Sequence, residues 1–240
     1  KIYYTSKESS PINTDLYVIN FDGKKKTKLS DKPGTYSASF SNGCHYYISN
    51  FTDANTPPIY TIHNAKGKQL VMLQDNAKLA KKMKEYGNET KTFGTLTTSE
   101  GVSLNYYIIK PANFDSTHRY PLFFYVYGGP GNQQVTNRYG GSDYYWHRML
   151  AQKGYIVVCI DGRGTGGRGA EFKKVTYKEL GKYECIDVIE AAKYFGKQPW
   201  VDESRIGIFG WSFGGYLSSL AILKGNDVFK TAIAVAPVTT

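Results

Sequence analysis

The sequence predicts an α/β fold, a mainly parallel, doubly wound and incomplete sheet, preceded by antiparallel sheets of β-propeller blade type. Three observations carry this. Four nearly continuous apolar runs, Leu122–Tyr127, Tyr155–Ile160, Ile206–Phe209 and Ala232–Ala236, alternate with helical patterns, as strands covered on both faces of a parallel sheet do. A strand–glycine turn–strand unit recurs in the first 74 residues at an offset of 43 to 44. A Gly-x-Ser-x-Gly pentapeptide, Gly210-Trp-Ser-Phe-Gly214, stands between the third apolar run and a helix.

The chain opens on Lys1-Ile-Tyr-Tyr-Thr5, which reads as a strand. Leu16-Tyr-Val-Ile19 then leads through Gly23-Lys24 to Thr27–Leu29, and Ile59-Tyr-Thr-Ile62 leads through Gly67-Lys68 to Gln69–Leu73. Between these hairpins lie Ser37–Phe40 and His45–Ile48, joined by Ser41-Asn42-Gly43; Asn-Gly is a strong hairpin signal. Four short strands in about 40–45 residues is the period of a propeller blade, so residues 1–74 are assigned to the last part of a β-propeller. Leu79, Met83 and Tyr86 then fall at helical spacing, with Asp75 or Asn76 to cap and Gly87-Asn88 to stop, giving a connecting helix in 75–89. Residues 90–240 begin with a hairpin, Thr92–Thr97 and Leu104–Ile109, around Ser99-Glu100-Gly101, and continue into the four apolar runs. Cys185, Val188, Ile189, Ala192 and Phe195 make one helical stripe, with Glu184, Asp187 and Glu190 expected outside it. Leu217–Leu223 is apolar almost all round and is predicted to be a buried helix.

Composition narrows the function classes. With 240 residues, 41% hydrophobic and 21% charged, the chain can build one large or two small cores. No apolar run approaches the ~20 residues of a membrane helix, so no span is predicted. The net charge of +10 is spread evenly, with 14 basic against 9 acidic residues in 1–100 and 16 against 11 in 101–240. The dense basic runs, Lys24-Lys25-Lys26 and Lys81-Lys82, read as a turn and a helix face, so a nucleic-acid partner is not predicted. Cys44, Cys159 and Cys185 are odd in number and far apart, which predicts neither a disulfide framework nor a metal site. Asn50-Phe-Thr52 and Asn88-Glu-Thr90 are glycosylation-type triplets that fit surface loops. No leader pattern opens the sequence; it begins inside a strand, as though the true start were elsewhere.

The chemistry centres on Gly210–Gly214. A strand, a tight turn with a central serine and a following helix make a nucleophile elbow, which lifts Ser212 Oγ above the sheet at the carboxyl end of a strand. The helix start behind it offers free N–H groups and a favourable dipole to a developing oxyanion, so the Phe213 N–H is predicted as one oxyanion donor. The strand ending Tyr125-Val-Tyr-Gly-Gly-Pro-Gly131 supplies the second donor in folds of this kind. A phenol can play that part, and Tyr127, immediately before Gly128, is chosen. By strand alternation Tyr125 faces the same side, so spacing alone does not separate the two. Gly164-Thr-Gly-Gly-Arg-Gly169 also fits a dinucleotide fingerprint, with Glu184 and Asp187 beyond it. The segment after those glycines is polar, so the loop is read instead as bracing through Asp161 and Arg163. No metal or organic cofactor is called for.

Tyr120-Pro-Leu122, Val126-Tyr-Gly-Gly-Pro130, Asp161-Gly-Arg-Gly-Thr-Gly166, Gly210-Trp-Ser-Phe-Gly-Gly-Tyr216 and Val228–Val238 together carry a resemblance that extends over essentially the whole chain. It resembles the dipeptidyl peptidase IV subfamily of the prolyl oligopeptidase family. That resemblance implies a β-propeller ahead of an α/β-hydrolase domain, truncated here after the nucleophile. It implies a serine exopeptidase that releases N-terminal dipeptides from peptides with Pro or Ala in second position, usually as a homodimer. A periplasmic, secreted or cell-surface location is favoured by the resemblance only. Ser212 is then the nucleophile, Tyr127 the oxyanion tyrosine, and Phe213 and Val238 the wall of the pocket for the proline ring. The family usually has Tyr where Phe213 stands, so a phenol is lost from that wall.

The triad is incomplete. Its order in this class is Ser, Asp, His, yet the 28 residues after Ser212 hold no histidine, and their one acid is Asp227. His45, His63, His118 and His147 all precede the serine. The acids that hold a substrate amine in the family would lie before Lys1. The sequence is therefore expected to be an internal piece of a larger enzyme, inactive by itself, whose parent gains activity through neutral pH as its histidine base deprotonates. The rival readings are another α/β-hydrolase, an acylaminoacyl peptidase or esterase, and a non-catalytic binding relative.

Overall fold

The computed structural model of the protein describes residues 1–140 and 142–239. The chain divides into two units: Lys1–Asn88 with Thr136–Gly141, and Glu89–Val135 with Ser142–Thr240.

The first unit holds two antiparallel sheets. β1 (Ile2–Ser6), β2 (Asp15–Ile19) and β3 (Thr27–Lys28) form one; β4 (Thr35–Phe40), β5 (Tyr46–Thr52), β6 (Ile59–Asn64) and β7 (Gln69–Gln74) form a four-stranded meander. The sequence repeat is reproduced hydrogen bond for hydrogen bond. The N–H groups of Asn20 and Gly23 donate to Lys24 and Asn20 carbonyls in one turn, and those of Asn64 and Gly67 to Lys68 and Asn64 in the other. Gly23 and Gly67 supply the positive φ, 76° and 89°. The β4–β5 turn is wider than Asn-Gly predicts. It runs through a 3-10 turn at Asn42–Cys44, with positive φ at Gly43 and Cys44, so β5 starts at Tyr46 rather than His45. Leu16, Tyr36 and Tyr47 make the core of this unit, with Leu29, Ala38, Phe40 and Phe51 against it. The helix α1 (Ala77–Glu85) buries none of its residues. Its first free N–H, that of Ala77, is met by the Asp75 carboxylate, while Asn76 is left-handed.

The second unit is a six-stranded sheet of order β13-β12-β10-β11-β9-β8. β8 (Lys91–Thr97) and β9 (Ser103–Ile109) are an antiparallel edge hairpin; β10 (Tyr120–Val126), β11 (Ile156–Asp161), β12 (Val201–Trp211) and β13 (Thr231–Val235) run parallel. α2 (Ser142–Gln152), α3 (Gly169–Lys174), α4 (Lys182–Gly196) and α5 (Phe213–Lys224) connect them. All six residues of β11 are buried, which is why this strand shows no alternation. Its even-numbered side chains, with Phe124, Val126, Ile206 and Ile208, pack on Val188 and Phe195 of α4 and Leu217 of α5. On the other face Phe123 and Tyr125 meet Trp146 and His147 of α2.

One expectation is corrected. Glu184 and Asp187 lie inside, not outside, at 1% and 0% exposure. Glu184 turns back to accept the Gly181 N–H at the start of α4. Asp187 grips Arg163 through both guanidinium Nε and Nη2 and the backbone N–H, at 2.7–3.2 Å. Asp187 is bonded on both oxygens, which offsets the cost of removing it from water, whereas Glu184 keeps one buried oxygen without a partner among the described residues and its pKa is pushed up by burial.

No helix among the described residues is long and apolar enough to cross a membrane, and no three His, Cys, Asp or Glu side chains among them gather to hold a metal ion.

Candidate active site

β10 is flanked by β11 on one side and β12 on the other. The chain therefore leaves β10 and β12 in opposite directions, and a crevice opens at their carboxyl ends. Val126 pairs with Gly210 in that register. Tyr127 follows Val126 by one residue and Ser212 follows Gly210 by two, so both leave the carboxyl ends of adjacent strands.

The turn at Ser212 is sharp. Its φ of 57° and ψ of −118° are sparsely populated for an L-residue, and the strain is held by bonds on both sides. The Ser212 N–H donates to Val235 O at 2.9 Å, and Ser212 O accepts from Tyr216 N–H at 3.1 Å and Val238 N–H at 3.4 Å. The glycines are needed for contact. A Cβ on Gly210 would stand 2.1 Å from Gly214 O, one on Gly214 2.2 Å from Val126 O, and one on Gly215 2.8 Å from Val235 O. These are backbone atoms of β10, β13 and α5, and Gly210 itself ends β12, so four segments touch at the elbow.

Phe213 is the first residue of α5. Its N–H has no acceptor among the described residues, as befits a first-turn donor pointing out of the helix start. The Phe213 ring is half-buried, 6.5 Å from the Tyr127 ring and 5.4 Å from that of Tyr216. Val238 is 45% exposed, with its backbone against the elbow. Ser212, Tyr127, Phe213 and Val238 are thus brought to one place.

The two tyrosines that spacing left open differ in surroundings. Tyr125 is buried, donates its hydroxyl to Asp143 at 2.9 Å and packs edge-on to His147; burial and the Asp143 charge push its pKa up. Tyr127 lies beyond the last strand residue, half-buried, with its ring over Gly129. Sequence reasoning missed Asp143, which is remote in the chain and carries no local signal.

The histidines of this unit are occupied elsewhere. His118 pairs with Asp115 at 3.0 Å on an exposed loop before β10, and seven strand residues then separate it from the level of Ser212, roughly 20 Å at strand rise. His147 is 1% exposed, with Nδ1 against the Tyr107 hydroxyl at 3.2 Å. Burial pushes its pKa down to about 3. Ser212 Oγ has no hydrogen-bond partner among the described residues. The dinucleotide-like loop is followed by a helix of only six residues, and its two acids are committed to Gly181 and Arg163.

A strained serine at a strand–helix elbow, next to the loop of the neighbouring parallel strand, is the arrangement that α/β-hydrolase folds use to present a serine. Comparison with known proteins narrows it. The prolyl oligopeptidase family matches residues 143–240, and the dipeptidyl peptidase IV N-terminal region matches residues 1–58. A Trichophyton verrucosum protein named "Probable dipeptidyl-aminopeptidase B" is 35% identical over 99% of this chain and 27% of its own length. The Podospora anserina protein of the same name is 37% identical over 99% of this chain and 26% of its own. The crystal structure of Porphyromonas gingivalis dipeptidyl peptidase 4 superposes with a TM-score of 0.93 at 45% identity, covering 98% of this chain and 33% of that one. The two family matches and these relatives together support the dipeptidyl peptidase IV subfamily of the prolyl oligopeptidase family. It spans about a quarter to a third of the relatives it matches.

Proposed function

We propose that this chain carries the nucleophile and oxyanion half of a serine dipeptidyl peptidase that removes N-terminal dipeptides, with Pro or Ala preferred in second position. The observation that carries the reading is the strained Ser212 elbow, two residues beyond Gly210, where Gly210 pairs with Val126, the residue before Tyr127. In this reading Ser212 Oγ attacks the carbonyl carbon of the second residue while its proton passes to a base. The carbonyl oxygen becomes an oxyanion that the Phe213 N–H and the Tyr127 hydroxyl stabilise. Collapse breaks the peptide C–N bond and the proton returns to the leaving amine; water then breaks the Ser212 Oγ–C ester bond, releasing the dipeptide and regenerating the serine hydroxyl. Phe213 and Val238 form the apolar wall for the proline ring or alanine methyl. Phe213 brings no hydroxyl to that wall.

A serine without a base is a weak nucleophile. Since His118 and His147 are committed elsewhere, the reading assigns the triad Asp and His to residues outside these 240. The isolated chain is then inactive. The same reading takes residues 1–74 as the last part of a β-propeller, 75–89 as the connector and 90–240 as the N-terminal part of the hydrolase domain. Its partners are peptides and, in the whole protein, a second copy.

The test uses the full-length protein with a fluorophosphonate probe and competing Gly-Pro-anilide and acylated amino-acid anilide substrates. Labelling at Ser212 with faster Gly-Pro turnover, both lost in Ser212→Ala, is the expected result. Preference for the acylated substrate would make it another hydrolase, and absence of label a binding relative.

A further inference from the structure

Resting on the assignment of Tyr127 as the oxyanion phenol, we infer that Asp161 is a positioning residue for it, acting through the loop 127–135. Asp161 ends β11 and is 3% exposed. Its carboxylate accepts the Gln134 N–H at 2.9 and 3.1 Å and the Val135 N–H at 2.8 Å. A buried charge bonded to two consecutive backbone donors is among the stronger clamps available to a loop. It fixes the far end of the segment whose near end is Tyr127.

The middle of the segment is fixed by the chain that follows Asp161. The Gly131 N–H donates to Gly164 O at 2.8 Å, and the Gly166 N–H to Asn132 O at 2.9 Å. The two loops meet backbone to backbone: a Cβ on Gly166 would stand 2.5 Å from Gly131 O. The platform itself is held by Arg163, locked onto the fully buried Asp187. At the near end, a Cβ on Gly129 would lie 2.5 Å from Cε1 of Tyr127, so the ring rests directly on the loop backbone. A displacement of residues 129–131 is therefore a displacement of the phenol. The glycine-rich loop that mimics a dinucleotide fingerprint has, on this reading, a mechanical purpose.

The carboxylate is specific to the task. Asn at 161 keeps the volume but presents one acceptor and an NH2 to two N–H donors. In the full-length protein Asp161→Asn is expected to lower kcat on Gly-Pro-anilide by about 10- to 100-fold, the loss that a ~1 Å misplacement brings, with KM little changed. The decisive readout is a cycle with Tyr127→Phe. Once the phenol is gone its aim is irrelevant, so Asp161→Asn should cost at most about twofold more in that background. Losses that multiply in the double variant would overturn the inference while leaving Tyr127 its role. Full activity in Tyr127→Phe would instead overturn the oxyanion reading and this inference with it. If Asp161→Asn fails to fold, Gly166→Ala presses on Gly131 O from the opposite loop and is read by the same cycle, with the same two outcomes.

Discussion

Gly214→Ala puts the elbow under a defined load. The new methyl would start 2.2 Å from Val126 O and 3.0 Å from Tyr127 Cα. A relaxed C···O contact is about 3.3–3.6 Å, so the start of α5 and the end of β10 must part by roughly 1 Å. No flexible side chain can absorb this, because the nearest atoms are backbone. Overpacking of this kind costs about 1–3 kcal/mol of stability, which leaves a domain of this size folded near room temperature. The catalytic loss should be larger. The displacement separates Ser212 and the Phe213 N–H from Tyr127, the groups that converge on one carbonyl in the proposed reaction, and a ~1 Å error is worth about 100-fold. The assay is the rate of fluorophosphonate labelling and of Gly-Pro-anilide turnover in the full-length protein, with a thermal melt to show folding. Turnover within about twofold of the parent in a folded Gly214→Ala protein would refute the claim that elbow and phenol work as one unit.

Ser212→Gly should raise stability by about 1 kcal/mol while abolishing labelling, because glycine relieves a φ of 57° that costs serine about 1–3 kcal/mol; chemical denaturation of the two proteins checks it. His147 is held at a pKa of about 3 against an ordinary value of 6.5. Between those values the unfolded chain binds more protons than the folded one, so stability falls as pH drops from 6.5 toward 3, by up to about 1.4 kcal/mol per pH unit. Denaturant titrations at mildly acidic and neutral pH should show His147→Gln flattening that slope, and an unchanged slope would assign it to other groups. Asp187→Ala strips the buried Arg163 of its main partner, leaving Glu100 at 2.6 Å and the Tyr183 ring, and should cost about 3–5 kcal/mol; a shift in melting midpoint near zero would show that the Arg163 anchor is dispensable.

The range of each interaction decided whether the sequence disclosed it or hid it. The central strand β11 was legible because burial on both faces leaves an uninterrupted apolar run, β13 showed the same run although it is largely exposed, and the elbow was legible as a local Gly-x-Ser-x-Gly pattern, even though Gly214 and Gly215 answer contacts from distant parts of the chain. The helix α2 was not anticipated. Its buried stripe includes Tyr144, His147, Arg148 and Ala151, at helical spacing but half polar, so hydropathy dilutes the signal. Those polar groups are tolerated because their partners come from other segments: Arg148 faces Glu89 at 3.6 Å, and His147 meets Tyr107. β12 starts at Val201, ahead of the apolar run, because Val201 pairs with Tyr120 while Asp202, Ser204 and Arg205 bond among themselves outside the core.

The same logic governs the site. Tyr125 and Tyr127 are equivalent by period, and the difference between them comes from Asp143, eighteen positions downstream of Tyr125 and delivered by α2. Its bond to Tyr125 gives that hydroxyl a buried partner of its own and leaves Tyr127 as the phenol at the crevice. Asp161 and Asp187 read in one dimension as an acid beside glycines and an acid on a helix face. Only the fold turns the first into an acceptor for Gln134 and Val135 and the second into the anchor of Arg163. A nucleophile can be announced by its own turn, whereas the groups that aim an oxyanion donor need not be neighbours of anything they control. That is why a motif search finds Ser212 at once, and why the residues proposed to position Tyr127 have to be found by tracing hydrogen bonds.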